Sequence, residues 1–89
     1  MEAMTPTERM GYVRAAIGNA SELMYSEIKT DAEIIDAGAS TSYIAVAAID
    51  FLYTWGEKVR GCFPWLRPTD DEILTAWGRE IDEIRAEQC

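Results

Sequence analysis

The chain has 89 residues and a net charge of −8, from 16 acidic and 8 basic side chains, and it contains no histidine. That length supports one domain, 1–89, whose core is small enough to gain from a partner or from pairing as a homodimer. The charge opposes direct binding of a nucleic-acid backbone, and without histidine the usual general base, the usual zinc ligand and any Cys-His nucleophile are missing.

The N-terminus shows no basic segment followed by an apolar run, so no secretory signal is expected. Thr5-Pro-Thr-Glu8 then reads as a capping box, in which the threonine oxygen accepts from the backbone N–H three residues on and the glutamate reaches back. Proline at the first helical position costs no donor that had a partner. The spacing predicts a first helix from Pro6 to about Lys29, with Met10, Val13, Ile17, Ala20, Met24 and Ile28 as one apolar seam. Gly18 and Asn19 weaken it at mid-length. A second copy of the box, Thr30-Asp-Ala-Glu33, predicts a short helix over Asp31 to Ala37, closed by Gly38.

Ala39-Ser-Thr-Ser42 supplies an N-cap for Tyr43 to Arg60, the most apolar stretch of the chain. Ile44, Ala48, Phe51, Leu52, Trp55 and Val59 share one arc, which Ala45, Ala47 and Ile49 extend, while Tyr43, Asp50, Thr54 and Glu57 form a polar strip. This is the expected central helix, with Gly61 closing it. Its uncharged portion is about a dozen residues, where roughly 20 are needed to cross a bilayer, so no membrane role follows.

Cys62-Phe-Pro-Trp-Leu-Arg-Pro68 is too apolar to be left in water: Phe63, Trp65 and Leu66 either close one end of the bundle or form a contact patch. A third box, Thr69-Asp-Asp-Glu72, opens the last helix, Asp70 to about Glu87, with Ile73, Trp77, Ile81 and Ile84 as its stripe and Leu74 beside it. Its other faces are the most acidic surface of the chain, and Arg79 can pair with Glu83. Cys62 and Cys89 lie at opposite ends of this segment, roughly 27 Å apart in a straight helix, beyond the about 7 Å that a disulfide allows. Free thiols and a cytoplasmic location are therefore expected.

The expected fold is an all-α bundle of three long helices and one short one. Glu33-Ile-Ile-Asp36 and Glu80-Ile-Asp-Glu83 are similar, as spacings alone, to the paired carboxylates of all-helical nucleotide pyrophosphohydrolases of the MazG type. That resemblance implies magnesium-dependent hydrolysis, although the two elements stand in the opposite chain order. Arg9, Arg14 and Lys29, with Tyr12 and Tyr25, outline a second alternative, a phosphate-bearing small ligand held in a helical oligomer. The reading preferred over both is a non-catalytic, cofactor-free interaction module with no metal site. Its partner would be a protein with a basic, nucleic-acid-handling surface, met by Asp71, Glu72, Glu80, Glu83 and Glu87 together with Phe63 and Trp65. Short acidic helical proteins of phages, some anti-CRISPR inhibitors among them, are similar in kind, and no motif ties the chain to any of them.

Overall fold

The computed structural model describes residues 3–87, which form four helices and, among the described residues, no strand: α1 Pro6–Ala20, α2 Glu22–Asp36, α3 Thr41–Cys62 and α4 Asp70–Glu87. The all-α bundle is as expected, but its first break falls elsewhere. Ser21 is extended (φ −168°, ψ 137°) and its hydroxyl accepts from the Leu23 N–H at 3.2 Å, ending α1 and starting α2. Just before it the Asn19 side-chain amide donates to the Ala15 carbonyl. The apolar seam crosses this break without losing phase: Val13, Ile17, Met24 and Ile28 are all fully buried.

The predicted start at Thr30 is not used. The Thr30 hydroxyl donates to the Ser26 carbonyl at 3.1 Å inside an uninterrupted α2. Nothing ahead of Thr30 weakens the backbone ladder, whereas Gly18 and Asn19 do so ahead of Ser21. The other two boxes form as expected. Glu8 N–H donates to Thr5 Oγ1 and Thr5 N–H to Glu8; Glu72 N–H donates to Thr69 Oγ1 and Thr69 N–H to Glu72.

Gly38 stops α2 in the left-handed region (φ 104°), with its N–H donating to the Ile35 carbonyl. Ser40 caps α3 by accepting from the Tyr43 N–H. Gly61, by contrast, stays inside α3, which runs on to Cys62. Cys62 is a free, exposed thiol, and Cys89, with which it was weighed, lies outside the described residues.

The helix at the centre is α4 rather than α3. Each of the other three packs more extensively on α4 than on any other helix. Ile73, Ala76, Trp77, Ile81 and Ile84 of α4 meet Val13 and Ile17 of α1, Met24, Ile28 and Ala32 of α2 and Phe51 and Val59 of α3 in one buried cluster. The reason is geometric. A narrow apolar stripe between charged flanks can be wrapped on several sides while its charges find partners, and α4 exchanges ion pairs with all three neighbours: Glu72 with Arg9, Glu80 and Glu83 with Arg14, Asp70 with Arg60, and Arg85 with Asp36. The wide apolar arc of α3 is only partly covered, and Ala45 and Ile49, expected to extend its buried side, face solvent.

Candidate interaction surfaces

The predicted acidic face of α4 is largely committed to the fold. Arg9 clasps Glu72 with Nε and Nη2 at 2.7 and 2.9 Å and also donates to the Leu66 carbonyl at 3.0 Å. Hydrogen bonds from Arg9 and from the Thr69 N–H pull the Glu72 carboxyl from its ordinary value of 4.5 down to about 2. Arg14 donates to Glu80 at 2.7 Å and also holds Glu83, so Glu83 turns to Arg14 rather than to the expected Arg79. Asp71 and Glu87 are exposed. The five predicted carboxylates thus divide into three that join α4 to α1 and two at the surface.

The aromatic connection between α3 and α4 also divides. Leu66 and Pro68 are buried, and the backbone there is held by Arg9 on the Leu66 carbonyl and by Arg60 on the Pro68 carbonyl. Phe63 is half-buried, while Trp65 is 59% exposed and stands edge-on to Tyr12 of α1, ring centres 5.1 Å apart. Tyr12 meets Phe63 edge-on as well, at 5.5 Å. Leu66 therefore closes the bundle end, and Tyr12 and Trp65 present an aromatic ledge beside it.

A surface the sequence reading did not single out lies on α3. Val46, Ile49 and Tyr53 are 67%, 44% and 84% exposed, and with Ala45 and Asp50 they line a shallow depression of about 370 Å³. Spacings of three and four put them on one stripe, roughly 140–200° around the helix from buried Phe51. Asp50 and Glu57 border it on one side; Asp50 lies toward α2, since its charge is felt at Asp31, and Glu57 lines a hollow with Tyr53, Arg60 and Asp70.

The carboxylates at this edge differ in kind from those of α4. Trp55 Nε1 donates to Glu27 at 2.6 Å and the Tyr43 hydroxyl donates to Asp31 at 3.3 Å. Both donors are neutral, so they fix the carboxylates without cancelling their charge. Among the described residues no ion pair engages Glu27, Asp31, Asp50 or Glu57. Burial first, then repulsion from Glu27 and Asp50, outweighs the Tyr43 hydrogen bond and raises the Asp31 carboxyl above its ordinary value. Burial and the neighbouring Asp31 likewise raise the Tyr43 hydroxyl.

Some residues of the two alternatives are held in these contacts, while Tyr25, Lys29 and Glu33 line an open hollow along α2. Arg9 and Arg14, expected to face a phosphate, point at α4 carboxylates. Asp36 pairs with Arg85 while Glu80 and Glu83 share Arg14, and among the described residues no group of three or more His, Cys, Asp or Glu side chains is placed to hold a metal ion. No described helix is long and apolar enough to cross a membrane. No protein-family model, curated protein or solved structure matches the chain.

Proposed function

We propose that the protein is a non-catalytic interaction module that binds a cationic surface of another protein. The observation that carries this reading is the sorting of charge: Asp70, Glu72, Glu80 and Glu83 of α4 are paired with arginines of the same chain, whereas among the described residues no ion pair engages Glu27, Asp31, Asp50 or Glu57, and Asp50 lines the uncovered apolar stripe of α3. Holding like charges together is unfavourable, and a basic partner relieves it on docking. The apolar stripe of α3 argues for a protein rather than a nucleic-acid backbone, which the net charge of −8 would repel. A partner that itself handles nucleic acid carries the required cationic surface, and occupying it would make the module an inhibitor, as an anti-defence protein of a phage would be. The reading places the module in the cytoplasm, where the Cys62 thiol stays reduced.

Capture on the immobilised protein from cells of its source, at low salt and then with rising salt, tests this. The expected result is a basic protein released as ionic strength rises, because screening shortens the reach of surface charges to about 10 Å at 0.1 M. Capture of nothing, or only of partners indifferent to salt, would contradict it.

A further inference from the structure

Resting on that reading, we propose that the α3 stripe seats a cationic amphipathic helix of the partner, its apolar ridge on Val46, Ile49 and Tyr53 and its basic residues along the edge marked by Asp50 and Glu57. Val46 and Tyr53 are seven residues apart, about 10 Å along the axis, which matches two turns of a partner helix presenting anchors at i, i+3 or i+4, and i+7. A helix satisfies its own backbone. A strand or loop laid here would bring unpaired N–H and C=O groups against a helix whose own backbone is already bonded.

The charge around the stripe selects among occupants. Asp50 borders it on the α2 side, and the charges of Glu27 and Asp31 behind it add to the negative field there, so lysines or arginines on one edge of the incoming helix meet a one-sided negative potential. A second copy of the chain would set −8 against −8, with Asp50 at the edge of the stripe on both. An anionic lipid surface would meet the same edge with repulsion.

The test uses the whole protein and a synthetic probe, an 18-residue labelled helix of leucine and lysine with its lysines along one edge of the leucine stripe, followed by fluorescence anisotropy at low salt. Tyr53→Ser and Val46→Ser, both at exposed positions, are expected to weaken binding at least fivefold each while the melting temperature stays within 2 °C of the parent. Asp50→Asn is expected to weaken it at least fivefold, and Asp82→Asn, the same change of charge on α4, less than twofold. A matching leucine–glutamate helix should not bind. The proposal is overturned if the lysine helix does not bind, or if Asp82→Asn weakens it as much as Asp50→Asn, which would show only the field of the whole molecule. It is equally overturned if sedimentation finds a dimer that Tyr53→Ser dissolves, the stripe then being covered by a second copy. Salt-sensitive capture of a basic protein that survives Tyr53→Ser would leave the interaction reading standing and move the docking surface elsewhere.

Discussion

Glu72 shows how much one side chain does in a bundle this small. It completes the capping box of α4 through the Thr69 N–H and at the same time receives both donors of Arg9, whose remaining bond holds the Leu66 carbonyl of the connection. The capping role was legible in the sequence, because it needs only a threonine three residues earlier. The Arg9 clasp was not, since its partners are 63 residues apart and nothing local marks them. Because the folded carboxyl titrates near 2 and the unfolded one near 4.5, the ionised form is favoured by folding. The stability this supplies is fully present above pH 4.5 and is lost as pH falls through 2. Glutamine at this position can still cap, so Glu72→Gln isolates the charge. Chemical denaturation across this range should find the variant less stable than the parent at pH 7, with the gap closing between pH 4.5 and 2; a gap independent of pH would show that the pairing with Arg9 contributes nothing.

For the helices, periodicity was a better guide than punctuation. The seam from Met10 to Ile28 is real, but a helix broken at Ser21 keeps the same residue phase on both sides, so apolar spacing alone could not reveal the break. The threonines make the point testable. Thr5 and Thr69 cap helices and Thr30 sits inside one, so alanine at Thr5 or Thr69 should each cost about 1 kcal/mol, while Thr30→Ala should cost nothing or stabilise by a few tenths, roughly the difference in helix propensity. Equal losses at all three, measured by urea denaturation, would restore a helix start at Thr30. The same distinction explains why α3 looked central. Total apolarity marked it, but burial follows from how many sides of a helix can be wrapped, and the charges of α4 let three neighbours close on it. The excess of α3 remains outside as Val46, Ile49 and Tyr53.

For the molecule as a whole, the acidity visible in the composition does two separate things. On α4, Asp70, Glu72, Glu80 and Glu83 are spent inside the fold, against Arg60, Arg9 and Arg14. Between α2 and α3 it is retained, at a cost that the raised Asp31 carboxyl records: burial and the neighbouring carboxylates make its ionised form unfavourable in the folded state, and the penalty is relieved as pH falls from its folded value toward its ordinary one. The carboxylates of α4 can be counted in the sequence, but the arginines that answer Glu72, Glu80 and Glu83 lie 63 to 69 residues away and nothing local marks them. We propose that stability and binding therefore draw on different carboxylates. That is tested most directly by measuring melting temperature and low-salt partner capture, at pH 7, for Glu72→Gln/Glu80→Gln beside Asp31→Asn/Asp50→Asn. The account predicts that the first pair lowers the melting temperature and keeps the partner, and that the second holds or raises the melting temperature and loses it. The reverse pattern, with capture lost on neutralising α4 and kept on neutralising the α2–α3 edge, would contradict it.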